Sequence, residues 1–309
     1  MTYKWFIEET EQQLAHLYPK EEGRAIAVRL LQRFCGISSY EHLVEPYGAI
    51  AEEHLPALES AVLQLAAARP LQYIIGIQEF LGRDFFVEEG VLIPRPETEE
   101  LVLWVMEYVK QAGCTEKSKF GESSSGNNSS QGLSIIDACC GSGAIAVSLA
   151  ASLPQAKVYA FDISEKALEI SHKNSEALLS DSSQVEFFKY DLLKTGIEQD
   201  ILTVDIIVSN PPYITEAEKN LMRKNVLDYE PEKALFVSND NPLLFYYALE
   251  KFASKHLKSG GAIFMEINEQ FGPEVAAIFS ETGYIDVTIK QDIFGKDRMV
   301  CARLSLYLR

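Results

Sequence analysis

This sequence predicts an α/β protein: an open, doubly wound, mostly parallel sheet preceded by a small helical domain. Three observations carry that prediction. From Leu133 onward, short apolar runs of strand length alternate with segments of helical period. The first of those runs ends in a glycine turn that opens a helix, DACCGSGAIA at 137–146. The first 76 residues show helical periodicity and no strand-like alternation.

The elements follow in order. Phe6, Thr10, Leu14 and Leu17 share one helical face, and Ala25, Val28, Leu31 and Phe34 are expected to share another before Gly36. Leu55, Leu58, Val62 and Leu65 repeat the pattern, with Pro56 tolerable in a first turn. Residues 1–76 are therefore a helical domain. The texture changes at IQEFLGRDFFVEEGVLIPRPETEELV, where 80–87 and 91–93 are expected to form a β-hairpin around Glu88, Glu89 and Gly90, so that 77–96 links the domains. A helix then opens in the acidic PETEE, favourable at a helix N-terminus, and buries Leu101, Val105 and Val109. LSIIDACC, KVYAFDI, VEFFKYDLL, VDIIVSN and GAIFMEI read as five strands. AIAVSLAASL, SEKALEISHKNSEALL and NPLLFYYALEKFASKHL read as helices, the last ending at Gly260-Gly261. DVTIKQDI and DRMVCARLSLYL flank a short FGK turn and suggest an antiparallel edge hairpin. Residues 97–309 are thus a second domain, interrupted at 115–132 by a Ser-, Gly- and Asn-rich insert expected to be disordered.

Composition narrows the function. A chain of 309 residues with 47% hydrophobic and 24% charged residues can bury a sizeable core. A net charge of −17 disfavours attraction to a nucleic-acid backbone and permits a basic protein partner. No apolar run reaches the length of a membrane span, and the start lacks a signal-like pattern. Cys35, Cys114, Cys139, Cys140 and Cys301 have no metal-ligand spacing and read as free thiols of a reducing cytoplasm; no metal is expected.

Gly141, Gly143 and Ala146 satisfy G-x-G-x-x-A, and Asp162 follows Gly143 by 19 residues at the next strand end. Alone, this is a dinucleotide fingerprint or a tight turn without a ligand. Asp137 shifts the balance, because a carboxylate is unhelpful beside a pyrophosphate but welcome beside an ammonium or sulfonium. Together with the edge hairpin it favours S-adenosylmethionine over NAD. Asp162 is then the ribose ligand, and Asp191 either accepts from the adenine amino group or merely ends a strand. Cys139 and Cys140 read as small turn residues.

The fourth strand ends in SNPPYI. Placed beside the first, its carboxyl end opens on the ligand crevice. An amide nitrogen is a poor nucleophile because its lone pair is delocalised into the carbonyl. The Asn210 side-chain oxygen and the Pro211 carbonyl can accept its two N–H bonds. Pro211 and Pro212 hold that carbonyl in place, and Tyr213 can pack on the planar amide. Transfer would be an in-line displacement governed by positioning.

NPPY with a glycine-turn strand resembles the amino-methyltransferases, whose Rossmann-like class I fold uses S-adenosylmethionine. RPLQYIIGIQEFLGRDFFVEEGVLIPRPETEELV, VDIIVSNPPYI, DYEPEKAL and KDRMV together resemble the HemK/PrmC family of protein-(glutamine-N5) methyltransferases, over about Arg69 to Arg303. That resemblance implies methylation of the glutamine in the Gly-Gly-Gln loop of class I peptide chain release factors, in support of translation termination. Apart from the resemblance, a cytoplasmic monomer is expected, and the helical domain is expected to dock the substrate, because the second domain already has its own sheet and cofactor pocket. It implies that Cys139, Cys140, Gly141, Ser142 and Gly143 line the methionine end of the cofactor, and that Asp191 and Leu192 border the adenine. Asn210 to Tyr213 would hold the substrate glutamine, with Asn210 also near the cofactor. Arg95 and Glu97 either shape the pocket wall or serve the fold. Where the family usually has DLGTGTG this chain has DACCGSG, so Cys139 replaces a glycine. The alternatives are an N6-adenine DNA methyltransferase, which would want a basic groove, and a non-catalytic cofactor-binding module, which has no use for NPPY.

Overall fold

A computed structural model of the chain describes residues 1–115, 132–194 and 203–306, with side chains 113–115 excepted. Most of the expected insert, and Cys114 as a side chain, therefore lie outside the described residues. Two compact units are formed: Met1–Ile77 with Met222–Tyr229, and Gln78–Leu221 with Glu230–Arg309.

The first unit is helical: α1 (Tyr3–Leu14), α2 (Lys20–Cys35), α3 (Glu41–Val44), α4 (Leu55–Ala66) and α5 (Leu71–Ile75). Thr2 caps α1 by accepting the Trp5 N–H, and Gly36 ends α2 in the left-handed region at φ 70°. Phe6, Leu14, Leu30, Leu31, Leu58 and Leu65 meet in one core. The buried stripe of α2 is Gly23, Ile26, Ala27, Leu30 and Leu31, while Ala25 is exposed. That corrects the expected face, because repeated steps of three residues drift round a helix of 3.6 residues per turn. The later segment of this unit is tied back by Tyr229, whose hydroxyl donates to the Ala67 carbonyl at 3.0 Å.

In the second unit β1 (Ile77–Phe80, its first residue shared with the boundary) and β2 (Arg83–Phe86) form the hairpin. Its turn is Leu81-Gly82, with φ of 49° and 70°. Two positive φ values are what a two-residue type I′ connection demands, so the hairpin lies earlier than expected. Residues 91–93 are not a strand. The Ile93 N–H goes to Glu230 Oε2 at 3.2 Å, and Pro94 and Pro96 have no donors to give a ladder.

The main sheet follows α6 (Pro96–Thr115). It takes β3 (Ser134–Ala138), then α7 (Ala144–Ser152), β4 (Lys157–Asp162), α8 (Glu165–Leu178), β5 (Val185–Lys189) and β6 (Val204–Ser209). Next come the short β7 (Ile214–Thr215), α9 (Lys224–Tyr229) of the helical unit, α10 (Glu232–Leu235) and β8 (Phe236–Val237). The chain closes with α11 (Leu244–His256), β9 (Leu257–Glu266), α12 (Gly272–Glu281), β10 (Tyr284–Gln291) and β11 (Asp297–Leu304). Seven strands lie in the order β10-β11-β9-β6-β3-β4-β5. The five from β9 to β5 are parallel, and the last hairpin is antiparallel at one edge. All six residues of β6 are buried, as expected of a central strand covered on both faces. Asp205 is tolerated there because its Oδ2 accepts from Lys258 Nζ at 2.8 Å and from Ser134 N and Oγ.

Gly260-Gly261 lies inside β9 rather than ending α11. The register slips between Val204↔Leu257 and Ile206↔Ala262, and a Cβ on Gly261 would meet the Asp205 carbonyl at 2.7 Å. The glycines serve a bulge where two backbones approach closely. Strand order reverses between β3 and β6, which opens a crevice at their carboxyl ends.

Candidate active site

Register fixes which residues crowd that crevice. Ala138 pairs with Phe161 on one side and Ser209 on the other, and Ser209 pairs with Met265. One step further along each strand stand Cys139, Asp162, Asn210 and Glu266, each at the same edge of the sheet.

The glycine loop is held from below and behind. Asp137 is fully buried and its Oδ2 accepts the Ala146 N–H at 3.0 Å, at the start of α7. Its Oδ1 has no hydrogen-bond partner among the described residues, and burial pushes this carboxyl well above the usual range, with the Asp162 charge adding to the shift. Asp162 accepts the Gly141 N–H on Oδ2 and the Ser164 N–H on Oδ1, both at 2.9 Å. Burial still raises its pKa against those donors. Gly141 sits at φ +55° with nothing within 4 Å of the position a Cβ would take, so the loop borders open space there. Gly143, at φ +77°, presses on Ser171 at 3.1 Å from that position. Ser171 donates to the Gly141 carbonyl at 2.8 Å, and Asn174 Nδ2 donates to the Ser142 carbonyl at 2.9 Å. Asn174 also exchanges two bonds with the Phe86 backbone, tying the hairpin to the loop.

Cys139 takes φ +62°, the left-handed region that favours glycine. Burial, then the Asp162 and Asp137 charges, push its thiol well up; Cys140 is raised by the same causes. Neither is a ready thiolate. Asp191 lies two residues past the end of β5, where its Oδ1 accepts the Leu193 N–H at 3.0 Å. Leu192 packs against the apolar core behind it.

On the other side of β3, Pro211 and Pro212 are buried and Asn210 and Tyr213 half-buried. Asn210 Nδ2 donates to Thr98 Oγ1 at 3.0 Å, Thr98 Oγ1 donates to Glu266 Oε2 at 2.7 Å, and Tyr213 Oη donates to Glu266 Oε1 at 2.7 Å. Burial raises the Glu266 pKa, the two hydroxyl donors and Arg298 opposing it and Glu97 assisting. Burial and the Glu266 charge keep the Tyr213 phenol protonated, well above its ordinary pKa. Below, Asn268 Nδ2 donates to the Tyr213 carbonyl at 3.2 Å and to Glu218 Oε2 at 2.9 Å. The turn is thereby held by side chains on both sides.

Arg95 points elsewhere: its Nη2 donates to Glu230 Oε1 at 2.5 Å, and Glu230 is 4% exposed. It clamps the approach to α6. Glu97 is half-buried, and its charge helps to raise the Glu266 pKa. Sequence reasoning missed Thr98, Asn174, Ser171, Glu230 and Glu266. Thr98 and Glu230 lie within quoted motifs, and Glu266 is a lone carboxylate closing an apolar strand.

A glycine loop on one strand end, a carboxylate on the next, and an Asn-Pro-Pro-Tyr turn on the strand beside them define a methyltransferase of the doubly wound class. The family model "Methyltransferase small domain" matches residues 127–229. A release factor glutamine methyltransferase of Flavobacterium psychrophilum is 37% identical over 290 residues, 94% of this chain and 94% of that protein. Its namesake from Bacteroides thetaiotaomicron is 39% identical over 292 residues, covering 94% and 96%. One from Lactococcus lactis is 38% identical over 82% and 84%. The chain belongs to the release factor glutamine methyltransferase family.

Proposed function

We propose that this protein methylates the side-chain amide nitrogen of the Gly-Gly-Gln glutamine in class I peptide chain release factors, in the cytoplasm, with S-adenosylmethionine as methyl donor. The observation that carries this reading is the Asn210 amide. Its Nδ2 is committed to Thr98 and its Oδ1 has no partner among the described residues, beside the glycine loop. A fixed acceptor suits an amide that must surrender lone-pair delocalisation before it can attack. The orphaned Asp137 Oδ1 and the open space at Gly141 fit a cationic methionine group and its close approach to backbone. Asp162, a carboxylate at the end of the neighbouring strand, can accept from ribose hydroxyls. When bound, S-adenosylmethionine supplies an electrophilic methyl group on its sulfonium. The chain's own residues then position the target: Asn210 Oδ1 and the Pro211 carbonyl accept its N–H bonds, and Tyr213 borders its plane. These are effects of orientation and preorganised dipoles.

A net charge of −17 favours a basic protein partner over DNA. The helical unit is proposed to dock that partner, since it leaves Tyr40, Leu43, Val44 and Tyr47 at 64–73% exposure. Incubation of a release factor with enzyme and S-adenosylmethionine should add the mass of one methyl group. The same factor with that glutamine replaced by alanine should stay unmodified. A wild-type factor without the mass gain would refute the assignment.

A further inference from the structure

We infer that Glu266 and Thr98 are positioning residues for methyl transfer: the Glu266 carboxylate, acting through the Thr98 hydroxyl, sets which way the Asn210 amide faces. The inference rests on the proposed methylation of a glutamine amide. A hydroxyl has one proton to give. Thr98 spends it on Glu266 Oε2 at 2.7 Å, so toward Asn210 it can only accept. Asn210 must therefore turn Nδ2 to Thr98 and present Oδ1 on the opposite side. Without that directional chain the amide could turn over about its terminal bond and offer a donor where an acceptor is needed. The second carboxylate oxygen does the same for Tyr213, whose hydroxyl it holds at 2.7 Å.

Glu266 is otherwise hard to justify. It is 1% exposed, and Thr98 is 4% exposed. Arg298 does not pair with it directly; its guanidinium is bound to Asp292 at 3.0 Å and Glu269 at 3.4 Å. An apolar side chain would pack this end of β9 at lower cost. A carboxylate with two acceptor oxygens is the group that can orient two hydroxyl donors at once.

Thr98→Val is nearly isosteric and removes only the hydroxyl, whereas Thr98→Ser keeps it. With saturating S-adenosylmethionine and release factor, Thr98→Val should lower kcat about 10- to 100-fold, as expected for a target held slightly out of place. Its cofactor Kd should stay within about twofold of wild type, because the change removes orientation rather than binding. Thr98→Ser should restore most of the rate, and Glu266→Met, which removes both acceptors and carries the test should Thr98→Val not fold, should be impaired like Thr98→Val. Wild-type turnover by Thr98→Val or Glu266→Met, or a serine variant as slow as the valine one, would overturn the inference. Hydrogen exchange of the Asn210 side-chain amide, identified by loss of its NMR signal in Asn210→Ser, needs no substrate. It should be slow in wild type and faster in Thr98→Val; equal rates would also overturn the inference. Because this readout is independent of methylation, a wild-type enzyme that fails to modify a release factor would refute the function and leave the positioning result standing.

Discussion

The Gly141 N–H donates to Asp162 Oδ2 at 2.9 Å, so the proposed ribose ligand also closes the loop that would receive the rest of the cofactor. Removing it should therefore do two things. Loss of a carboxylate hydrogen bond to ribose costs roughly 1.5–3 kcal/mol, so Asp162→Ala should weaken S-adenosylmethionine binding about 10- to 150-fold. The cofactor-free protein should also melt lower, because Gly141 and Ser164 lose their acceptor. Calorimetric titration with thermal melting of the free protein checks both. Weakened binding with unchanged melting would assign Asp162 to the ligand alone.

Cys139 stands at φ +62°, in the left-handed region that favours glycine. A side chain in the left-handed region costs about 1–2 kcal/mol, while glycine gives back about 0.4–1 kcal/mol through the unfolded chain. Cys139→Gly should thus stabilise the protein by up to about 1.6 kcal/mol, and Cys139→Ala, which keeps a Cβ, should not. Paired urea unfolding curves decide it. Equal stabilities for the two variants would mean that the left-handed backbone at this position carries no strain.

Asp137 provides a pH test. Its folded pKa is raised by burial above the ordinary carboxylate value of 3.8. Its contribution to stability is therefore fully present below the unfolded value and is lost as pH rises through the folded one. Asp137→Asn, which cannot ionise, should gain stability relative to wild type as pH climbs from about 4 toward neutrality. Denaturation midpoints of both proteins across that range should diverge; parallel curves would show that Asp137 titrates normally.

The sheet was legible because its central strands are short, mostly apolar runs, largely buried and set off by turn residues. The hairpin was placed too late because its turn puts Leu81, not a glycine, in the first left-handed position. Asn210 to Tyr213 stood out because amide, prolines and tyrosine are odd at the end of such a run. Glu266 did not: GAIFMEI is an ordinary strand until register sets its last carboxylate beside Asn210. Thr98 was hidden in an acidic helix start. Asn174 was hidden in the middle of a helix that otherwise reads as amphipathic, although its side chain is fully buried. Partners that arise from pairing distant strands have no local signature.

Arg95 lies in the same motif as Thr98 but faces Glu230. Deleting its charge would leave a 4% exposed carboxylate with the Ile93 N–H as its one remaining donor among the described residues. Arg95→Met should cost about 1–3 kcal/mol of stability, read by denaturant unfolding, with cofactor affinity little changed. A variant as stable as wild type but deficient in turnover would move Arg95 into the substrate site.

Asn210 carries the most direct test of the proposed chemistry. If its Oδ1 orients the target amide, the contact strengthens as charge develops on nitrogen during transfer. Removing one such preorganised group typically costs about 10²–10³ in turnover. Asn210→Ala should lower the single-turnover rate by that order while the cofactor Kd moves only a few-fold. Asn210→Asp is the sharper probe. It keeps an acceptor but loses the donor that Thr98 now receives at 3.0 Å, and it sets a second carboxylate against a hydroxyl already given to Glu266. Thr98 has one proton for two acceptors, so either the introduced carboxylate or Glu266 is left short of a donor. The aspartate variant should bind cofactor and transfer poorly. Single-turnover rates near wild type for Asn210→Ala would remove Asn210 from the mechanism, and the Pro211 carbonyl and Tyr213 would then have to orient the amide.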